Sequence, residues 1–205
     1  MKTAITTILA GASLGLSLAQ AAPIDFDFKD PKGVNNIVFQ LDAPLESING
    51  TATGITGNVS FDPDDPTSIA GSIVLDVNSL TVPNSTMQGH LVGPRWLDTA
   101  AHSNIVFEAV AAANARTVND STVVDLTGNL TIKGVTKQMT VPVKITYLKG
   151  KLKARGGTDS DGDLLVLRSS FVILRDAFGI NPGQNLDKVS NEIELSLSLV
   201  GIAPY

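Results

Sequence analysis

Side chains capable of chemistry are scarce in this 205-residue chain. It has no cysteine and two histidines, His90 and His102. Thiol nucleophiles, disulfides and thiolate metal sites are therefore excluded. A Ser-His-Asp relay would have to use one of those two imidazoles, and no Gly-x-Ser-x-Gly elbow is present to carry the serine. His102 lies in the polar stretch Ala100-Ala101-His102-Ser103, where solvation is its simplest state. Asp159-Ser160-Asp161-Gly162-Asp163 opens like a calcium loop. Such a loop needs glycine at its sixth place and a bidentate glutamate at its twelfth, and here those places hold Leu164 and Ser170. A turn is the better assignment. The chain is therefore not expected to be an enzyme, and no cofactor or metal is expected.

Charge narrows the partners. The chain carries 15 Lys and Arg against 20 Asp and Glu, a net charge of −5. A nucleic-acid binder needs a clustered basic face, and none occurs. The hydrophobic share of 43% is too high for a disordered chain. At the start, Lys2 precedes the apolar run Ile5 to Leu18, which ends in Ala19-Gln20-Ala21. A positive residue, a short apolar core and a small-x-small site make residues 1–21 a cleavable signal peptide, with Ala22 as the mature N-terminus. The run is too short to span a bilayer, which takes roughly 20 apolar residues. No second run is long enough, so stable membrane insertion is not expected and the mature chain should act outside the cytoplasm. Nothing in the pattern sets an oligomeric state.

The elements that must hold any site are strands. Val124, Leu126, Gly128, Leu130 and Ile132 alternate with Asp125, Thr127, Asn129 and Thr131. Met139, Val141, Val143, Ile145 and Tyr147 do the same, as do Ile69 through Val77 and Ile193 through Leu199. Shorter versions occur at Ile37-Phe39-Leu41, Ile55-Gly57-Val59-Phe61, Ile105-Phe107-Ala109 and Leu165 to Ile173. One apolar and one wet face per strand is the pattern of antiparallel sheets. Turn signals separate the strands, with Lys149-Gly150 and Asp161-Gly162 reading as hairpins. Thr86 to Leu97 breaks the alternation, with Met87, Leu91 and Trp96 at loosely helical spacing. Eight or more strands without a linker must close or fold over to hide their edges. An eight-stranded barrel either fills itself or holds one small ligand. Inward glycines such as Gly57, Gly71 and Gly128 favour a cavity, though such glycines also mark barrel bends.

The ordered set of motifs resembles the YceI family. It comprises Gly57-Asn58-Val59-Ser60-Phe61-Asp62-Pro63-Asp64-Asp65-Pro66, His90-Leu91, Trp96-Leu97-Asp98 and Ile105-Val106-Phe107-Glu108-Ala109. Leu126-Thr127-Gly128-Asn129-Leu130-Thr131-Ile132-Lys133-Gly134 follows, then Arg175-Asp176-Ala177-Phe178-Gly179-Ile180 and the final strand. Asn35-Asn36-Ile37-Val38-Phe39 stands where that family usually has a His-Ser pair before Ile-x-Phe. The resemblance implies a periplasmic, lipocalin-like antiparallel barrel over residues 22–205, with polyisoprenoid-type lipid as partner.

On that basis one all-β barrel of about eight strands is expected, with a short helix or ordered loop near residues 86–97. Ile73, Leu75, Leu126, Leu130, Val141, Val143, Leu195 and Leu197 should point into its interior and line a lipid cavity. Phe107 and Phe178 are expected as further wall contacts. His90 and Arg175 are expected at the ligand's polar end, and Trp96 as a plug or gate. Arg175 could instead pair with Asp176. The mouth should lie near Thr86–Leu97 and Arg175–Ile180. The competing expectation is a structural or stress-response barrel filled by its own side chains.

Overall fold

The computed structural model describes residues 22–205. The expected signal peptide, residues 1–21, lies outside that range. Ten strands run in chain order: β1 (Ile24–Asp27), β2 (Asn36–Asp42), β3 (Ser47–Ala52), β4 (Ile55–Asp62), β5 (Asp65–Asp76), β6 (Asn104–Val118), β7 (Ser121–Ile132), β8 (Val135–Leu148), β9 (Gly162–Leu174) and β10 (Glu192–Pro204). Two short helices, α1 (Ser85–Leu91) and α2 (Leu152–Arg155), interrupt them. All strand pairings are antiparallel. β4 to β10 pair in sequence, and β1 closes the ring by pairing with both β4 and β10. Eight strands thus form a closed barrel, and the β2–β3 hairpin extends it from the other half of β10.

Local chemistry sets the register. On β7 the residues from Val124 to Ile132 alternate between buried and partly exposed, with every apolar one buried. Their outward neighbours ladder across to β8, Thr127 to Thr140 at 2.7 Å and Thr131 to Thr136 at 2.8 Å. A one-residue slip would exchange the faces, so burial fixes the pairing. Lys133 and Gly134 both take positive φ, +50° and +73°, which is the two-residue turn that suits a twisted hairpin.

β10 has a break between its two partners, since β2 ends at the Asn36–Ser198 pair and β1 meets it at Asp27–Ile202. Asn35 bridges the break. Its side-chain oxygen accepts from Val200 N–H at 2.8 Å, and its amide donates to Val200 O at 3.1 Å and Phe28 O at 3.2 Å. A buried side-chain amide thus stands in for one strand residue and satisfies both main-chain groups of Val200.

Three expectations change. Gly57 and Gly71 do not make room for a ligand. They sit at φ +134° and +127°, where a side chain would collide with Ser72 O and Asn58 O of the facing strand, so they mark the bend of β4 against β5. Gly128 is covered by the Phe107 ring, as Gly50 is by Phe39. Lys149-Gly150 and Asp161-Gly162 are not two hairpins. They stand at the two ends of the single connection from β8 to β9 that carries α2, and Gly162 already opens β9.

That connection closes one end of the barrel, which is solid. Phe26, Phe28, Phe61, Val124, Ile145 and Leu165 are buried there, and Phe26 meets Tyr147 edge-on at 6.4 Å between ring centres. Asp163 accepts from Tyr147 Oη at 2.6 Å, from Gly150 N–H at 2.7 Å and from Tyr205 Oη. The calcium-loop aspartates therefore end in a tyrosine-bound carboxylate. Among the described residues no cluster of metal-ligating side chains occurs, and no helix is long and apolar enough to cross a membrane.

Candidate functional site

The other end of the barrel is hollow. A cavity of about 600 Å³ reaches from Val143, Leu167 and Leu199 at mid-barrel to the loops beyond β2, β5 and β9. Its inward residues differ in burial from those of the closed end. Ile73, Phe107, Phe171, Leu195 and Leu197 all point inward yet are only partly buried, because they face open space rather than one another. The wall is mostly aliphatic and aromatic.

Each covering element follows from its sequence. Asn84 caps α1, its side chain accepting from Thr86 and Met87 N–H, both at 3.0 Å. Gln88 ties the helix to the segment before it, accepting from Val82 N–H at 2.9 Å and donating to Leu80 O at 3.0 Å. One face of the helix, with Met87, His90 and Leu91, then lies over the cavity, and no residue of α1 is fully buried. The β2–β3 hairpin supplies Ile37, Phe39, Leu41 and Ile48 to the wall.

The rim loops are bound to one another. Lys133 Nζ donates to Pro94 O at 2.9 Å and to Gly179 O at 3.1 Å. Asn181 N–H reaches Arg95 O at 2.9 Å, and Leu45 N–H reaches Asp187 O at 2.9 Å. His102 is half-buried against Gly134 of the β7–β8 turn rather than free in solvent.

Arg175 is the centre of this end, in a role other than the one expected. Its parity on β9 after Leu167, Phe171 and Ile173 points it inward, and it has no solvent exposure. Nε donates to Ser190 O at 2.9 Å. The two terminal nitrogens donate to Ile180 O at 3.0 Å, Asn181 O, Gln184 O at 2.5 Å and Val189 O at 3.2 Å. All five guanidinium N–H groups are engaged. Burial pushes its pKa down from the ordinary value, with nearby Asp176 acting in the opposite sense. The five carbonyl dipoles compensate the buried charge, and the side chain holds the 176–191 loop in place. Arg175 therefore has no donor left for a ligand's polar end, and it forms no ion pair with Asp176. The ion pair among the described residues is Arg155–Asp30, at 2.8 Å in the closed end.

Trp96 is half-buried on the wall, and the Arg175 guanidinium lies 5.6 Å from its ring centre, a cation–π contact that joins the 93–97 and 176–191 loops. Phe178 is the second departure. It is buried, but its 3₁₀ turn (Asp176–Phe178) packs it toward β8, and Ile180 takes the place on the wall. The remaining expected residues (Ile73, Leu75, Phe107, Leu126, Leu130, Val141, Val143, Leu195 and Leu197) do line the cavity, and exposed His90 stands at its rim. Sequence reasoning missed Asn185 and Lys188 on the rim, which lie in a polar loop with no periodic signal. It also left Phe39 and Ile48 unassigned, although the alternation of Ile37-Phe39-Leu41 was visible.

The YceI-like domain model matches residues 31–201. A UPF0312 protein of Pseudomonas paraeruginosa is 28% identical over 153 residues, 75% of this chain and 73% of its own. Two solved structures share the fold. BcnA of Burkholderia cenocepacia superposes with a TM-score of 0.66 at 20% identity, over 83% of this chain and 98% of its own. A domain from Saccharophagus degradans, described as polyisoprenoid binding and implicated in plant cell wall breakdown, gives 0.62 at 12% identity, over 88% and 99%. With a match across nearly the whole described barrel, the chain belongs to the YceI-like domain family.

Proposed function

We propose that this chain is an exported, non-catalytic carrier that encloses the tail of one long apolar lipid, a polyisoprenoid or fatty chain, in the hollow end of its barrel. The observation that carries this is the cavity of about 600 Å³ with a mostly apolar wall and with Glu46, Asn84, His90, Asn185 and Lys188 among its polar lining. Each methylene moved from water into such a space gains about 0.8 kcal/mol. Affinity therefore needs no catalytic group. A bilayer offers the tail the same gain, so the protein exchanges its cargo rather than trapping it. The described polyisoprenoid binding of the Saccharophagus relative supports the same ligand class. The Ala19-Gln20-Ala21 site supports export to the periplasm or beyond. A purely structural barrel is favoured by the solid end alone, and it leaves the hollow end without a purpose.

Fluorescent-lipid displacement, paired with circular dichroism, tests the proposal. Wild type should bind a polyprenyl or acyl probe, and Leu130→Trp should expel it while the barrel stays folded, if the wall accepts the larger ring. Gly128 is the poorer site for this, since the Phe107 ring already covers it. A wild type that binds neither kind of chain would remove the carrier function.

A further inference from the structure

We infer that the barrel sets a ceiling on the length of chain it encloses, at on the order of twenty carbons, and that Val124, Ile145 and Leu165 are the residues that set it. The inference rests on the carrier function above and specifies its ligand. A methylene occupies about the volume a water takes in the liquid, about 30 Å³. A cavity of about 600 Å³ then holds on the order of twenty of them.

The floor is built from three neighbouring strands, β7, β8 and β9. Leu126 and Val143 border the cavity, and the next inward residues on the same strands, Val124 and Ile145, do not. On β9, Leu167 borders it and Leu165 does not. Register sets each of these floor residues against the cavity's edge or the closed end: Val124 opposite Val143, Ile145 opposite Leu167, and Leu165 opposite Tyr147 and Gly201. Val124 and Leu165 have no solvent exposure, and Ile145 has 2%. Beneath them Phe28 covers Gly201 and Phe26 meets Tyr147 edge-on. A tail entering at α1 therefore meets packed side chains at mid-barrel, not a passage to the far end. Carbons beyond the ceiling must leave through the mouth into water or stay in the membrane.

This predicts a break in a length series. Linear alcohols and linear prenols from about ten to about forty carbons would be offered to the full exported protein from neutral phosphatidylcholine vesicles, and the transferred fraction measured for each. Below the ceiling, protein and bilayer bury each methylene equally, so transfer should be nearly independent of length. Above it, each additional methylene is buried only in the bilayer, and transfer should fall about fourfold per methylene. Alcohols and prenols should break at similar carbon counts, because volume and not branching sets the limit. Leu165→Ala and Ile145→Ala should move the break to longer chains, and Val141→Phe to shorter ones. Val141→Phe leaves the floor intact, so the series stays decisive if the floor variants unfold. Transfer that stays flat to the longest chains, or a break that ignores Val141→Phe, would overturn the ceiling and leave the carrier function standing. Failure to take up any chain would remove the carrier function itself.

Discussion

Val124 and Leu130 lie on the same inward face of β7, yet one is sealed among side chains and the other borders open space. Nothing in their own strand separates them. The difference lies in what the other strands bring. At the closed end β1 and the residue after it supply Phe26 and Phe28, β4 supplies Phe61, and the three rings fill the bore. At the open end β1 has given way to the β2–β3 hairpin, and α1 bridges the gap instead of plugging it. Alternation decides which side chains face inward; the count of large rings at each level decides whether any space remains. The two expectations drawn from the sequence, a cavity and a self-filled core, are each met in one half of one barrel.

The largest expected effect tests whether the hollow end depends on its rivet. Arg175→Leu removes the donors that satisfy five carbonyls and takes away the central anchor of the 176–191 loop. We expect a loss of about 3–5 kcal/mol in urea unfolding, the usual consequence of stranding buried polar groups. Arg175→Lys should recover little of it, because an ammonium cannot reproduce the planar fork. If Arg175→Leu unfolds with wild-type stability, the loop is held by its other bonds.

Next comes the direct comparison of core and wall. Leu165→Ala opens a hole in a full layer and should cost about 2–5 kcal/mol. Leu195→Ala enlarges a void that already exists and should cost about 1 kcal/mol or less in the unliganded protein. Bound lipid should reverse part of that contrast, raising the midpoint of wild type more than that of Leu195→Ala. Equal losses for the two variants without ligand would mean that the hollow end collapses on itself in solution.

The ends should also part company in acid. Burial pushes the Asp30 carboxyl up, but the Arg155 guanidinium and the N–H groups of Lys32, Val34 and Asn35 outweigh it and hold the pKa at about 2, below its ordinary 3.8. Asp163 is likewise held low: its burial is outweighed by the hydroxyls of Tyr147 and Tyr205, the Gly150 N–H and nearby Lys149. A depressed carboxylate contributes stability that is complete above its unfolded pKa and is lost as pH falls through the folded one. Both groups sit at the closed end. Stability should therefore hold down to about pH 4 and decline between about pH 4 and 2, with about 1–2 kcal/mol of the loss due to Asp30. Asp30→Asn should flatten that decline. Hydrogen exchange at the lower edge of this range should rise first in the β1–β2 loop and α2, before the α1 end responds.

How much of this division was legible turns on what a strand pattern encodes. The inward face of β7 and the irregular stretch after residue 85 followed from alternation and its interruption, whereas alternation left closing and folding over both open and the family resemblance pointed to the barrel. Arg175 was legible in part: its parity after Ile173 points inward, and an inward arginine demands buried acceptors. Those acceptors are main-chain carbonyls of a loop whose side chains carry no pattern, so sequence could not name them. Phe178 belongs to a turn, where parity no longer applies. The glycines misled because absence of a side chain is not absence of matter: Phe107 leans over Gly128, and the facing backbone closes on Gly57 and Gly71. The solid floor depends on rings arriving from strands far apart in the chain, a sum that no single strand shows.

The smallest expected effect concerns the rim. His90 is exposed at the last turn of α1, and its main-chain carbonyl, not its ring, accepts from Val92 and Gly93 N–H. Removing an exposed ring here should change stability by no more than about 0.5 kcal/mol. Lipid retention should also change little, within about threefold, since nearly all the gain comes from methylenes on the apolar wall and each alone is worth about 0.8 kcal/mol. The informative comparison is His90→Ala beside Lys188→Ala, measured with a fatty acid and with an alcohol of equal chain length. If retention is set by the hollow wall, both variants should treat the two end groups alike. A loss beyond tenfold confined to the acid would show that the rim reads a carboxylate, and would move recognition from the cavity to its mouth.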